Sequence, residues 1–442
     1  MPGGGQDTVV NDRFERRLEG LASPAYLLLP TLTALAPASI VRRPSQFQAS
    51  PVPMRTPPLP TDSRSPFFTD VHAMLRQTVR RFVETRVLPN GDGWEKAGHV
   101  PREILREMGD LGLFGIRYPE ESGGSNLDTL ATVVLAEELG RSTFGGFAVT
   151  VLVHTDMASP HLHHGGTDAQ KARYMPDIIA GRKIAAVAMT EADAGSDLAS
   201  MRTTARRDGD HWVLNGSKMF ITNGVHGDIY FVAAKTGQPG RNRDISMFIV
   251  EKGTPGFSVA RSLDKHGWHS SDTAELVFEN CRIPADNLLG NENRGFYALA
   301  RNLQNERIVL GAQAIGEAEK AIELTTEWVK ARRAFGGSLW EKQAIRHKLA
   351  KRSAEIAATK AMIHETAWCD AHGQDVVKEV SMIKALAGTL VNRVMYDCLQ
   401  FHGGMGYMRE TAIERMARDA RVQAIGGGAT EVMLEEIAKR MT

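Results

Sequence analysis

The chain has 442 residues, enough for about three domains, with 42% hydrophobic and 24% charged residues as in an ordinary globular protein. Its formal net charge of +1 provides no field of one sign, which argues against a nucleic-acid partner and means that an anionic ligand needs local donors. The three cysteines are too far apart for a disulfide framework, and every apolar run is shorter than the ~20 residues of a membrane-spanning helix.

Residues 1–64 differ in composition from the rest, because they contain no lysine and are rich in Pro, Ala and Ser. Their arginines suggest an organelle-targeting peptide, but acids such as Asp7 and Glu15 argue against it. We interpret the segment as a disordered extension, with a translation start near Met54 as a further hypothesis.

Helical periodicity begins after residue 65. Val71, Leu75, Val79 and Phe82 recur every three or four residues and form one apolar stripe. Helical patterns continue with one Gly- and Pro-rich interruption at residues 118–125, so we predict an N-terminal helical domain over residues 65–183.

Residues 184–287 contain short β-rich runs separated by turn residues. Asp208, Gly209 and Asp210 lie between two of these runs and are typical of a hairpin turn. The length and pattern predict a central β-barrel, or a sandwich of similar size.

The helical signal returns over residues 288–442. Three long patterns at 296–332, 340–372 and 376–401, followed by two shorter ones, predict an antiparallel C-terminal helical bundle. The fold class is therefore multidomain α+β, with helical, β and helical domains in that order.

Glu306 stands out from periodicity alone, since it lies on the same predicted helix face as Leu299, Leu303, Leu310 and Ala314. Burial disfavours the charged form of a carboxyl and raises its pKa towards the range useful for proton transfer. The alternative at this point is a buried ion pair, for example with Arg307.

The sequence contains no GxGxxG after a strand and no Walker loop, so a Rossmann or P-loop nucleotide site is not supported. Glycine clusters at 403–406 and 426–428 favour tight turns, or alternatively backbone amides presented to a ligand. His161, His163 and His164 lie in what we predict to be one short loop without other ligands nearby, so we predict no metal site.

Five segments together resemble the acyl-CoA dehydrogenase family over residues 65–442, and the helical, β, helical order is that of the family. The segments are AMTEADAGSD (188–197), FITNG (220–224), RRAFG (332–336), QFHGGMGYM (400–408) and RDARVQAIGGGATEVM (418–433). The resemblance implies FAD as cofactor and α,β-dehydrogenation of an acyl-CoA thioester to trans-2-enoyl-CoA, in fatty-acid or branched-chain catabolism.

The resemblance also implies residue roles. Phe220 packs against the flavin ring, where many relatives have Trp, and Thr222 lies near flavin N5. The implied FAD-binding residues are Met189, Thr190, Ser196, Phe220, Thr222, Arg332, Phe335, Gln343, Gln400, Gly404 and Glu431. The implied substrate-binding residues are Ser196, Arg307, Gly427 and Gly428.

The position of the base is a departure from many family members, which carry it in a Y-E-G-T motif. Here that motif is replaced by IGGGAT, with Gly427 in the place of the glutamate and Ala429 in the place of the threonine. The segment LQNERIVLGA (303–312) matches a second group that includes the isovaleryl and long-chain types. Its combination with IGGG most resembles the long-chain type. The resemblance therefore makes Glu306 the base, and Gly427 keeps only a backbone N–H for the thioester oxygen.

Further expectations follow from the resemblance alone. They are a homo-oligomer, usually a tetramer, and electron transfer flavoprotein as the electron acceptor. We expect the protein in the cytoplasm of a bacterium or in the mitochondrial matrix of a eukaryote. An acyl-CoA oxidase-like enzyme or a non-catalytic flavin-binding subunit are the alternatives.

Overall fold

A computed structural model describes residues 65–237 and 244–441. The predicted extension at residues 1–64 lies outside the described part of the chain. Within it, helical, β and helical regions follow one another, as predicted.

The N-terminal helices pack around an apolar core. Helices α4 (Thr129–Gly140) and α5 (Gly145–Leu152) are buried on every side, which explains why their sequences are largely apolar and show no single stripe. The chain continues α1 (Asp70–Phe82) and α5 as π-helical segments, Val83–Val87 and Val153–Ala158; we call the second one the π segment. The helices are α1 Asp70–Phe82, α2 Gly91–Ala97, α3 Arg102–Asp110, α4 Thr129–Gly140, α5 Gly145–Leu152, α6 Ser159–Gly165 and α7 Asp168–Ile179.

The central region is one eight-stranded sheet. Its strands are β1 Ala185–Ala188, β2 Thr204–Asp208, β3 His211–Thr222, β4 Ile229–Lys235, β5 Ile245–Glu251, β6 Phe257–Ser262, β7 Thr273–Pro284 and β8 Leu288–Leu289. The order is β6-β7-β3-β2-β4-β5-β8, and β1 pairs with β4 in parallel. The predicted turn at 208–210 joins β2 and β3, with Asp208 paired to His211.

The prediction of a closed barrel is wrong. Among residues 65–237 and 244–441, β6 and β8 form the two ends of the strand path and do not pair with each other, so the sheet is open. Alternation of apolar and polar residues predicts which face of a strand is buried. It does not predict whether the first and last strands meet, because that pairing joins residues distant in sequence.

The C-terminal region is helical, as predicted, and also contains a short β-hairpin whose two strands have two residues each. Its elements are α8 Gly295–Ala331, β9 Arg333–Ala334, β10 Gly337–Ser338, α9 Gln343–Ala371, α10 Val377–His402, α11 Ala412–Ala420 and α12 Thr430–Ala438. Helix α8 packs against α4, α9 and α10. A Cβ at Gly316 would overlap the carbonyl oxygen of Glu137, so glycine allows the backbones of α8 and α4 to approach closely. In the described ranges, no helix combines the length and apolarity needed to cross a bilayer.

Candidate active site

Glu306 lies on the buried face of α8. Its side chain is almost fully buried, at 4% exposure, and Leu299, Leu310 and Ala314 on the same face are also buried. The apolar stripe predicted from the sequence is therefore present, with an acid inside it.

The surroundings of Glu306 favour its neutral form. In the described part of the chain it makes no ion pair within 4.0 Å; instead Asn302 Nδ2 donates to Glu306 Oε1 at 3.0 Å. Burial raises the pKa of Glu306 to about 7, although Asn302 and Arg307 oppose the shift. A buried ion pair does not explain this residue. A carboxyl with such a pKa is matched to accepting a proton near neutral pH.

The 426–428 loop packs against the same helix. Gly427 has a φ of +65°, and a Cβ there would overlap Leu310 Cδ1, one turn after Glu306. A Cβ at Gly428 would stand 3.7 Å from Arg307 Nε. The structure thus brings together the four residues predicted for the reacting end of the substrate, Glu306, Arg307, Gly427 and Gly428.

Lys384 of α10 holds the carbonyls around this loop. Its buried Nζ donates to Gln423 O at 2.5 Å and to Gly428 O at 3.3 Å. Burial, with a smaller contribution from Arg307, lowers the pKa of Lys384 to about 8. The sequence analysis missed this residue, although a lysine next to Ile383 on an apolar face is a visible signal. We call Asn302, Glu306, Leu310, Lys384 and Gly427 the base pocket.

A second group lies at the edge of the sheet, where β1 and β3 end. Met219 N donates to Thr190 O at 2.9 Å and joins the two segments predicted to hold the flavin ring. The β3–β7 register shifts between Lys218 and Ile221, and Phe220 in this bulge has a φ of +62° and is 64% exposed. A bulge with a strained residue re-aims a side chain, here an aromatic ring, towards the outside of the sheet.

A buried ion pair supports this edge. Lys218 Nζ donates to Glu191 Oε1 at 2.8 Å and to Met189 O at 2.9 Å. Glu191 also accepts from the backbone N–H groups of Arg202 and Thr203. Burial alone would raise the pKa of Glu191, but Lys218 and these donors hold it below its ordinary value. The sequence analysis did not identify this pair, which fixes the 188–197 segment on β3.

The π segment lies between the two groups. It packs against both β1 and α8. Asn223, next to Thr222, donates to Thr150 O at 3.0 Å, and Ala185 N donates to Nδ1 of His154 at 3.0 Å. Ser196 is exposed on its loop.

A third group, made of predicted residues together with Tyr407 of the 400–408 segment, is exposed at the far ends of α8 and α10. Phe335 is 91% exposed, with a φ of +52°, and Tyr407 is 80% exposed. Trp328 Nε1 donates to Phe401 O at 3.1 Å and brings the two helix ends together. We call Phe335, Gln400, Gly404 and Tyr407 the outer patch. Among the described residues, no hydrogen bond joins Arg332, Phe335, Gln343, Gln400, Gly404 or Glu431 to the sheet edge.

Comparison with known proteins covers all three regions. Family models for the N-terminal, middle and C-terminal domains of acyl-CoA dehydrogenases match residues 69–182, 186–281 and 293–442. A mitochondrial long-chain specific acyl-CoA dehydrogenase of Mus musculus is 42% identical, over 85% of this chain and 87% of the relative.

The chain belongs to the acyl-CoA dehydrogenase family. An acyl-CoA dehydrogenase of Bacillus subtilis is 37% identical over 84% of this chain and 98% of its own. The crystal structure of an acyl-CoA dehydrogenase from Geobacillus kaustophilus is 40% identical, covers 85% of this chain and 99% of its own, and has a TM-score of 0.82. The protein is thus an FAD-dependent oxidoreductase of acyl-CoA thioesters.

The sheet edge of this acyl-CoA dehydrogenase suits a flavin. Phe220 offers an exposed aromatic face, and Thr190 and Thr222 offer hydroxyls. Within the described residues, a Cβ built at Gly195 would have only Thr190 Cγ2 within 4 Å, at 3.9 Å, so the loop is open. A flat ring with polar edges needs these three features.

The three histidines near the π segment lie on helix α6, not in a loop, which corrects that part of the prediction. His161 is buried, and burial lowers its pKa to about 4. Residues 65–237 and 244–441 contain no group of three His, Cys, Asp or Glu side chains placed to hold a metal ion.

Proposed function

We propose that Glu306 is the base that removes the α-proton of the acyl-CoA thioester. The observation that carries this proposal is a carboxyl buried on the apolar face of α8, free of ion pairs in the described residues, with a pKa of about 7. It accepts one hydrogen bond from Asn302 and can also accept a proton from carbon.

Gly427 supports the same step through its backbone. Among the described residues its N–H donates to no acceptor, while Lys384 holds the carbonyl of the next residue. A fixed, free N–H stabilises the negative charge that develops on the thioester oxygen when the α-proton leaves. Arg307, whose buried Nε has no hydrogen-bond partner among residues 65–237 and 244–441, and Gly428 then border the bound thioester, and Ser196 contacts the CoA arm.

The cofactor is held in two places. When bound, FAD supplies the acceptor for the hydride that leaves Cβ. Met189, Thr190, Ser196, Phe220 and Thr222 hold its ring at the sheet edge. The diphosphate and adenosine half are bound by residues of a neighbouring subunit, at the outer ends of α8 and α10 and the start of α9: Arg332, Phe335, Gln343, Gln400 and Gly404. Glu431 on α12 is a further FAD-binding residue.

The exposed outer patch supports assembly. Phe335 and Tyr407 are among the most exposed large apolar side chains of the described residues, and exposed apolar patches often mark protein interaction sites. We propose a homotetramer in which these side chains are covered, with electron transfer flavoprotein as the electron acceptor. The site of action is the cytoplasm if the source is bacterial and the mitochondrial matrix if it is eukaryotic. Sedimentation of the full chain tests the assembly, and reduction of purified electron transfer flavoprotein tests the acceptor.

The base is tested by anaerobic stopped-flow reduction of the bound flavin. Glu306→Gln should keep FAD but slow reduction by about 10²–10⁴-fold, because a general base contributes that much. Glu317→Gln is the matched control, since Glu317 is also buried on α8 and its pKa is also raised, to about 8. Near-normal reduction in Glu306→Gln, or equal loss in both variants, contradicts the proposal.

We propose a long-chain acyl-CoA as the preferred substrate. The 42% identity to the long-chain enzyme of Mus musculus supports this, while the isovaleryl-CoA dehydrogenase of Pongo abelii is 35% identical. Anaerobic titration of the flavin with straight acyl-CoAs of increasing length and with isovaleryl-CoA decides between them. Faster reduction by isovaleryl-CoA would overturn the long-chain assignment.

A further inference from the structure

The π segment offers an unusual row of hydrogen-bond acceptors next to Glu306. Four successive carbonyl oxygens, those of residues 154–157, accept bonds from side chains. The donors are Ser159 to His154, Tyr118 to Thr155, Asn302 and Asn305 to Asp156, and Asn302 to Met157. A widened helical turn makes its carbonyls available to such donors, and π-helical turns are frequent at functional sites.

Asn302 occupies a special position on this row. Its Nδ2 lies 3.2 Å from Asp156 O, 3.0 Å from Met157 O and 3.0 Å from Glu306 Oε1. Three acceptors surround a group that has two hydrogens, so the opposite orientation of the amide would place its oxygen against three oxygens. The carboxamide nitrogen therefore faces Glu306, and the two carbonyls fix it there.

The orientation matters because the Glu306 carboxyl has little else to hold it. Asn302 is 5% exposed and Glu306 4% exposed, so water does not compete freely for this hydrogen bond. A hydrogen bond from a fixed neutral donor to a carboxylate is stronger than one between two neutral groups.

Several charged groups lie near this pair or near Arg307 beside it. They are Arg307 on α8, Asp156 on the π segment, Arg117 beside Asp156, Lys384 on α10 and Glu436 on α12. Of these, Arg307 acts directly on Glu306 and favours its charged form. Asn302 is the neutral donor among them.

We propose that Asn302 is a positioning residue for the base: its amide, anchored on the π segment, holds the Glu306 carboxyl in one orientation and stabilises its ionised form. This inference rests on the proposed role of Glu306. Helix α8 presents an amide and an acid four residues apart on one face, so the π segment sets the position of the base through a single side chain.

The matched control is Asn305. It lies next to Glu306 in sequence, and its Nδ2 also donates to Asp156 O, at 2.9 Å. Its Oδ1 accepts from Arg117, and within the described residues none of its hydrogen bonds involves Glu306. Asn305→Leu removes an anchor of the π segment and keeps the bond to the base. Asn302→Leu removes both an anchor of the π segment and the hydrogen bond to Glu306.

The experiment measures the protonation of Glu306 directly in the oxidised holoenzyme. Infrared spectra of each protein minus its Glu306→Gln counterpart isolate the carboxyl stretch, which is followed against pH. Loss of a hydrogen bond to a charged group should raise the midpoint in Asn302→Leu by about one pH unit. Asn302→Asp, which has nearly the same shape as the wild type, should raise the midpoint at least as much. Asn305→Leu should leave the midpoint unchanged.

The rate of flavin reduction by acyl-CoA should follow the same order, with its rising limb displaced to higher pH in the Asn302 variants. An unchanged infrared midpoint in both Asn302 variants overturns the inference, and so does an equal displacement in Asn305→Leu. Two folded variants of different shape protect the test against misfolding of either one. If Glu306→Gln reduces flavin normally, the proposed function fails, while the infrared midpoints still decide the role of Asn302.

Discussion

The base pocket and the outer patch are built in opposite ways. In the base pocket, Glu306 and Lys384 are buried at 4% and 2% exposure and hydrogen-bonded within one chain. In the outer patch, Phe335 and Tyr407 are 91% and 80% exposed. Folding buries the first region, whereas the second keeps its large apolar side chains exposed.

This difference separates chemistry from recognition. Burial sets the pKa of Glu306, so the base pocket obtains its reactivity from the core of the protein. The outer patch is exposed, and its proposed role depends on being covered by a neighbouring subunit. Changes in the base pocket should therefore alter rates, pH dependence and stability, whereas changes in the outer patch should alter assembly and FAD affinity.

The contrast between the base pocket and the outer patch is tested most strongly by moving the carboxyl from position 306 to position 427. Glu306→Gly should slow flavin reduction by about 10²–10⁴-fold. Gly427→Glu in the same chain places a carboxyl at the other predicted position, but the positive φ and the overlap with Leu310 oppose it. Adding Leu310→Ala should therefore recover at least about tenfold in stopped-flow rate. No recovery in the triple variant would mean that the two positions do not flank the same carbon.

The next largest effect is expected at the sheet edge, whose stability should depend on the buried ion pair between Lys218 and Glu191. Lys218→Met leaves the Glu191 carboxylate buried without its cation, a change that costs about 3–5 kcal/mol in the free energy of unfolding. Met189 also loses the donor to its carbonyl, so flavin content should fall. Denaturant unfolding and flavin absorbance measure the two effects. Lys218→Met with Glu191→Gln is the control and should be the more stable; equal stability would contradict the role of the pair.

Sequence periodicity predicted the helical elements well, because helix signals are local. It also found Glu306, since an acid inside an apolar stripe is visible without a structure. Asn302 lies four residues earlier on that face and was detectable in the same way. The catalytic assignment itself came from resemblance to the family, and the structure supports it through burial.

The remaining features depend on contacts between distant residues. Lys384 binds the carbonyl of Gln423, and Lys218 binds Glu191, so neither partner can be inferred from nearby sequence. The open sheet is a similar case, because closure depends on whether β6 and β8 pair. The positive φ of Phe220 arises from a register shift against β7, which local pattern does not encode.

Burial of Glu306 in the base pocket should also lower the free energy of unfolding at pH values where the carboxyl is ionised. The pKa of Glu306 is about 7 in the folded protein, above the ordinary value of 4.5, so ionisation disfavours the folded state as pH rises between these values. Glu306→Gln should match the wild type near pH 4.5 and exceed it by about 3 kcal/mol above pH 7. Urea unfolding with saturating FAD measures this difference, and Glu327→Gln, which removes an exposed acid from α8, is the control. A difference that does not grow with pH would contradict the raised pKa.

The smallest effect on the chain itself is expected in the outer patch. Phe335→Asn removes the exposed ring while keeping a residue that tolerates a φ of +52°. The free energy of unfolding of the chain should change by less than about 0.5 kcal/mol, since the ring is hardly buried. If a neighbouring subunit covers the ring, FAD affinity or subunit association should weaken by about tenfold, as for a central interface side chain. Met74→Asn, which changes a 60% exposed side chain on α1, should affect neither in sedimentation and FAD titration. Unchanged assembly and FAD affinity in Phe335→Asn would show that exposure here needs no partner, and the contrast with the base pocket would then be one of burial alone.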